Sequence, residues 1–193
     1  MRDISLHILD IVQNSLAAGA RNIWISICED AREDRFTVTI KDDGKGMDEE
    51  TVRKVTDPFY TTRKTRKVGL GLSLLQANTK ACEGALKIDS ALGQGTTIKA
   101  VFRLTHIDRP PLGDMTATLI SLLSGSPDVD FFYCHQCDEK CFQCSTVEIK
   151  QNLDGLPINH PEVLSWLQEY FFEQEEELIY SSLFRKREND KLK

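Results

Sequence analysis

Two neighbouring stretches, "RNIWISIC" (21–28) and "RFTVTIKD" (35–42), constrain this chain more than any others, because each alternates apolar and polar residues. That period belongs to strands, and the polar turn "EDARED" between them predicts a hairpin. A hairpin with one apolar face needs a covering layer. Residues 3 to about 18 supply it: Ile4, Ile8, Ile11, Val12 and Leu16 recur at helical spacing, while Asp3, His7, Asp10 and Asn14 form the opposite polar stripe. Gly19 provides the stop. After "DDGKGM" (42–47) the pattern predicts a short helix from Asp48 to about Val55 and a longer one from Gly71 to about Cys82, ended by Gly84. "ALKIDS" and "TTIKAVFRL" read as two further strands separated by "ALGQG". The order helix, strand, strand, helix, loop, helix, strand, strand predicts an α/β fold with one sheet covered by helices on one face.

A composition shift at "IDRPPLGD" divides the chain near residue 109. Residues 1–108 make the first unit and 109–185 a C-terminal α-β-β-α extension, with helices at about 114–123 and 161–177 around a hairpin at about 129–149; a charged tail occupies 186–193. A chain of 193 residues is long enough for one good core and a smaller appendage, and 40% apolar with 28% charged residues is an ordinary globular composition. No apolar run approaches the roughly 20 residues that span a bilayer. The N-terminal "MRDISLHILDIVQ" carries acid and amide where a signal peptide is apolar, so the expectation is a cytoplasmic chain with no membrane partner. A net charge of −6 argues against nucleic acid as a partner.

The charge is nevertheless uneven, since Arg63 to Lys67 holds four cations in five residues and runs into Gly69-Leu70-Gly71 and a string of leucines. Solvation alone explains many charge runs. Here the run precedes a glycine-opened helix, whose free N–H groups and positive dipole end can receive a polyphosphate. The sequence is neither a Walker loop nor a dinucleotide fingerprint. Hinged by glycine and Pro58, the basic loop can fold over phosphates as a lid. Asp10 and Asn14 lie one helical turn apart; they either face solvent, or the amide oxygen takes a magnesium ion while the carboxylate acts on a nearby water. In "DDGKGM" the glycines allow a tight turn, and the Asp42 carboxylate could accept from the exocyclic amine of adenine, where guanine presents an acceptor instead. A calcium loop would need further carboxylates in register, and they do not follow. "GQGTT" brings the Thr96 hydroxyl to the sheet, within reach of a base.

Together "LDIVQNSLAAGA", "DDGKGM", "DPFYTTRKTRKVGLGL" and "GQGTT" resemble, in order and spacing across residues 3 to 104, the N, G1, F/G2 and closing boxes of the GHKL ATP-binding superfamily. Its members include histidine kinases, anti-sigma serine kinases, the mismatch-repair ATPase MutL, gyrase B and the large heat-shock chaperone. The resemblance implies the Bergerat fold, a two-layer α/β sandwich with a mixed, mostly antiparallel sheet, holding ATP and Mg2+ between helices beneath a lid. It implies Asp10 as the catalytic carboxylate, Asn14 as the magnesium ligand, Asp42 as the adenine acceptor, and Gly44, Gly46 and Met47 as the adenine-side turn, with Thr96 beside the base. It further implies Phe59, Thr61 and Thr62 at the lid base, Lys64 and Lys67 among the lid cations, and Gly69, Leu70, Gly71 and Leu72 along the phosphates.

The resemblance is to a protein kinase acting in trans or a slow ATPase with a regulatory role; the alternative is a non-enzymatic ATP-dependent sensor docked on a partner. Two departures shape that expectation. Hydrolytic members carry glutamate where this chain has the shorter Asp10, and MutL-like sequences carry an acid where it has Ala17. A histidine kinase also needs a helical hairpin with a phosphoacceptor histidine upstream, and only a handful of residues precede the first helix here. His7, His106, His135 and His160 are accordingly read as structural or surface residues, and the acceptor as a separate protein. Small relatives of this kind are often encoded near iron-hydrogenase genes, which would suit regulation or maturation.

Of six cysteines, Cys28 and Cys82 read as small core residues, while Cys134, Cys137, Cys141 and Cys144 crowd into "CHQCDEKCFQC". Two CxxC pairs this close match neither ribbon-type zinc spacing nor ferredoxin spacing. A hairpin turning at "DEK" would pair Cys137 with Cys141 and Cys134 with Cys144, on opposite faces. An unliganded hairpin, a zinc or iron–sulfur site and a redox switch follow in that order of preference.

Overall fold

The alternating stretches become strands β1 (Asn22–Asp30) and β2 (Arg35–Asp42), paired antiparallel, in the computed structural model, which describes residues 2–56 and 70–190. Their period of two buries Ile23, Ile25 and Ile27 from β1 and Phe36, Val38 and Ile40 from β2. Helix α1 (Ile4–Ala17) covers that face with Ile4, Ile8, Ile11 and Val12, all buried at the spacing its sequence shows. Helix α2 (Glu49–Lys54) starts where the Asp48 carboxylate accepts the Thr51 N–H at 2.7 Å, an N-cap. Helix α3 (Leu70–Ala81) adds Leu72 and Leu75 to the core, and strands β3 (Ala85–Ser90) and β4 (Thr96–Arg103) complete the first part. On β4, Phe102 meets Phe36 edge to face at 6.0 Å.

The extension continues the same sheet. Helix α4 (Met115–Gly125), capped by Asp114 on the Ala117 N–H at 2.8 Å, packs against α1. Strand β5 (Asp130–Cys137) then runs parallel to β1, from Asn22↔Asp130 to Glu29↔Cys137, and β6 (Lys140–Ser145) pairs antiparallel with β5. The strand order is β3-β4-β2-β1-β5-β6, a mixed sheet with β1/β5 as its parallel pair. A short α5 (Thr146–Gln151) leads to α6 (Pro161–Asp190), which buries Val163, Leu167, Phe171 and Leu178 against β5, β6 and α4. The linker between the two parts ties back as well: Pro111 and Leu112 carbonyls accept the N–H groups of Ile4 and Ser5 at 3.0 and 2.7 Å, satisfying two orphan donors of α1.

All described helices that contribute buried apolar residues do so to one face. The other face stays partly wet, with Trp24 stacked on Phe132 at 5.2 Å and Lys41 over the Trp24 ring at 5.2 Å. Three details differ from the sequence reading, one being that the hairpin expected to reach about residue 149 ends at Ser145 and residues Thr146–Gln151 form the extra helix α5. The β5–β6 turn has two residues rather than three, because Asp138 takes a left-handed φ of +53° and lets Cys137 pair with Lys140. Register therefore slips by one: Cys141 pairs with Gln136 and Cys144 with Tyr133, not with Cys137 and Cys134. Helix α6 also continues well past residue 177, into the charged segment, whose Glu, Lys and Arg are good helix formers.

Candidate functional site

Of three polar residues buried on α1, Ser5, His7 and Ser15, the last leads to the candidate site. Ser15 follows Ile4, Ile8 and Ile11 at helical spacing, and its hydroxyl donates to Asp42 Oδ2 at 2.6 Å, where β2 ends. Asp42 is 5% exposed and its Oδ1 accepts the Gly44 N–H at 2.9 Å. A carboxylate has about four lone-pair positions, so both bonds leave it able to accept from a ligand amine. The backbone around it is crowded. A Cβ on Gly44 would lie 3.0 Å from Asp42 Oδ1 and 3.1 Å from Ala18, one on Gly46 (φ +66°) 1.9 Å from the Ala91 carbonyl, and one on Gly95 (φ +78°) 1.9 Å from the Asp42 carbonyl. At Gly46 and Gly95 only glycine fits these close approaches of one loop to another, while at Gly44 a Cβ would press on its neighbours.

Ser90 joins those loops. Its hydroxyl donates to the Gly95 carbonyl at 2.8 Å, accepts the Met47 N–H at 2.9 Å and lies 3.0 Å from the Thr96 hydroxyl. Thr96 pairs directly with Asp42 across β4 and β2, so hydroxyl and carboxylate share a face of the sheet. A cleft of about 520 Å³ opens beside Thr96, bounded among the described residues by Val52, Arg53, Ile88, Ser90, Gly95 and Thr96 but not by Asp42. Asp43, next in the chain, is spent on the frame: it accepts from Arg21 N, Asn22 N and Asn22 Nδ2 at 2.7–2.9 Å. Desolvation pushes its pKa up, but these bonds outweigh it and hold the carboxyl below the usual range.

The second cluster lies where α1 meets α3. A Cβ on Gly71 would fall 1.9 Å from Asp10 Oδ2, so the carboxylate rests directly against the first turn of α3. Asn14, one turn along α1, is exposed. Below them His7 is 2% exposed, its ring 3.1 Å from the Asn78 amide, and burial pushes its pKa down, holding it neutral. Leu70 opens α3, and the Leu72 side chain joins the core. Of the other sequence candidates, Phe59, Thr61, Thr62, Lys64, Lys67 and Gly69 lie outside the described residues. Ser15 and Ser90 escaped the sequence reading, although a hydroxyl at a buried helical position was a signal for the first.

The cysteines divide between the two faces of the sheet, as the odd separation of 134 and 137 requires. Cys134 and Cys141 sit on the wetter face with sulfurs 3.3 Å apart; Cys137 and Cys144 point to the helix side. Burial pushes both Cys134, beside Cys141, and Cys144 up to about 11, so these thiols stay protonated. The four sulfurs do not converge. The described side chains do fit a purine base at Asp42 and Thr96, and an oxygen-ligated cation at Asn14, whose amide oxygen is a hard donor.

Residues 2–106 match the profile of the family described as histidine kinase-, DNA gyrase B- and HSP90-like ATPases. A putative sensor protein of Shewanella frigidimarina is 34% identical over 103 residues, 52% of this chain and 16% of that protein. Sporulation kinase C and sensor histidine kinase WalK, both of Bacillus subtilis, are 30% and 33% identical over 50% of this chain. The chain covers 22% and 17% of those two, so it spans about a fifth of the length of these curated relatives or less. Among solved structures, the N-terminal domain of a DNA repair protein superposes with a TM-score of 0.51 at 18% identity, covering 74% of this chain and 52% of that one; the likeness is one of fold.

Proposed function

Because this chain belongs to the histidine kinase-, DNA gyrase B- and HSP90-like ATPase family, carrying its ATP-binding domain in the histidine-kinase form, we propose that it binds Mg–ATP and transfers the γ-phosphoryl group to a separate protein. The observation that carries the reading is the buried Asp42 carboxylate, oriented by Ser15 and Gly44 and flanked by Gly46 and Gly95, where a Cβ would run into backbone. Adenine offers an amine to that carboxylate, with the Thr96 hydroxyl beside it. Guanine would present a carbonyl oxygen instead and leave a buried acceptor facing an acceptor. Asn14 would hold the magnesium ion, which when bound neutralises charge on the phosphate oxygens. Asp10 rests against the first turn of α3, and since the first N–H groups of a helix have no intrahelical acceptor, a helix start there suits a polyphosphate tail. Asp10 then orients the attacking group and takes its proton; general-base help of this kind is worth roughly 10²–10⁴-fold.

Incubation of the purified chain with γ-labelled ATP, Mg2+ and candidate acceptor proteins tests the reading. Label on a protein acceptor supports it. Free phosphate as the sole product would recast the chain as a slow ATPase, and retention of intact ATP as a sensor. Asp42→Ala should abolish ATP binding measured calorimetrically, and Asp10→Asn should keep binding while removing transfer. Unchanged ATP affinity in Asp42→Ala would end the proposal.

A further inference from the structure

Three buried stripes break their apolar pattern at the same corner of the molecule. On β1 the sequence of inward residues runs Ile23, Ile25, Ile27 and then Glu29. On β5 it runs Phe131, Tyr133 and then His135 and Cys137. On α6 it runs Val163, Leu167, Phe171 and then Glu175, which is 7% exposed. The parallel register sets Glu29 directly opposite Cys137 and Ile27 opposite His135, and the packing of α6 on β5 delivers Glu175 to the same place. Burying polar groups costs free energy unless they engage one another, so their coincidence asks for a common purpose.

The geometry supplies one. His135 is fully buried, and its Nδ1 lies 2.8 Å from Glu175 Oε2, while Tyr133 donates its hydroxyl to Glu175 Oε1 at 2.6 Å. That pair of bonds fixes the ring. Its other nitrogen, Nε2, lies 3.6 Å from Cys137 Sγ and 3.5 Å from Glu29 Oε1, and the three atoms fall within 4.8 Å of one another. Zinc–sulfur bonds of about 2.3 Å and zinc–nitrogen or zinc–oxygen bonds of about 2.0–2.1 Å, opened to the tetrahedral angle, place S and N about 3.6 Å apart and N and O about 3.4 Å apart. The two separations from Nε2 match two edges of such a tetrahedron, and the third is within 4.8 Å. A buried carboxylate on the far nitrogen of the ligating imidazole is the usual support of a zinc-bound histidine.

We propose that Glu29, His135 and Cys137 form a divalent metal site of zinc type, with Glu175 and Tyr133 orienting the histidine and a fourth position open to water or to a group from a partner. The donor set of one thiolate, one imidazole and one carboxylate suits Zn2+ over the oxygen-seeking Mg2+ or Ca2+. The ligands come from two strands, and their support from Glu175 on α6 and Tyr133 on β5, so a bound ion fastens α6 and β5 of the extension to β1. This site is independent of the nucleotide site and shares no residue with it. It also differs in composition from a four-cysteine site, because Cys134 and Cys141 lie on the other face of the sheet.

The test uses the full chain, purified without a histidine tag and stripped with chelator, titrated with Zn2+ and, separately, with Co2+. The expected result is one equivalent bound, a rise in melting temperature with Zn2+, and a thiolate-to-cobalt charge-transfer band. Cys137→Ser should remove the band and weaken Zn2+ binding by at least about 100-fold, and Glu175→Gln should weaken it roughly 10–100-fold. Glu29→Gln, at the half-exposed edge where folding is least at risk, should weaken binding with its circular dichroism unchanged. Cys134→Ser and Cys141→Ser should leave both readouts intact. Absence of Zn2+ binding at about 10 μM would leave the cluster as an imidazolium held between carboxylates and overturn the proposal. Equal affinity in Cys137→Ser, or a band lost in Cys134→Ser, would do the same.

Discussion

Gly71 illustrates how a single residue can matter through what it lacks. Its missing Cβ is the space that the Asp10 carboxylate occupies, since an added methyl would stand 1.9 Å from Oδ2. The carboxylate is the movable party, so Gly71→Ala should fold and should turn Asp10 away from the attacking group. Transfer or hydrolysis is expected to fall roughly 10²-fold or more, close to the loss in Asp10→Asn. The double variant should be no worse than either single one, because both changes disable the same contact. Rates for the double variant equal to the product of the two single losses would show that Gly71 acts elsewhere. Ser15 and Ser90 carry the opposite lesson: each uses one hydroxyl to hold groups far apart in sequence, Ile11 to Asp42 in one case, and Met47, Gly95 and Thr96 in the other.

At the level of elements, the joint between α1 and α3 sets the distance between the two halves of the candidate nucleotide site. His7 and Asn78 bridge it at 3.1 Å in a buried setting. Burial pushes the His7 pKa below its ordinary 6.5 against the opposing pull of Asp10. The unfolded chain therefore takes up a proton near 6.5 that the folded chain resists, so this residue's contribution is fully present above that pH and is lost as pH falls through it. Between about pH 7.5 and about pH 5.5 the melting temperature of the wild type should fall further than that of His7→Asn. Parallel pH dependences would show that another group sets the trend. Elements also explain where pattern reading succeeded. Strands β1 and β2 alternate cleanly because one face meets helices and the other meets water, whereas the β5–β6 register turned on whether Asp138 would accept a left-handed backbone, which alternation does not reveal.

For the whole molecule, the decisive fact is that β5 lies beside β1 in one continuous sheet. The chain holds two tryptophans, Trp24 on β1 and Trp166 on α6, so each reports one side of the boundary near residue 109. Trp24→Phe and Trp166→Phe, melted separately and followed by the remaining indole, should give coincident transitions, because exposing β1 removes the template on which β5, and with it α6, is laid. Two separated midpoints would divide the molecule into independently stable units. Local order was legible in the sequence wherever it depends on periodicity: the stripe of α1, the two-residue alternation of the strands, the glycine turn after Asp42 and the glycine-opened start of α3 all follow from spacing along the chain. What tertiary structure alone decided were the contacts whose partners lie far apart in sequence, among them Ser15 with Asp42, Asp10 with Gly71, β5 with β1, and Glu29, His135, Cys137 and Glu175 at one corner. The reason is physical: a side chain's period says which way it points, but only the packing of one face on another says what it meets.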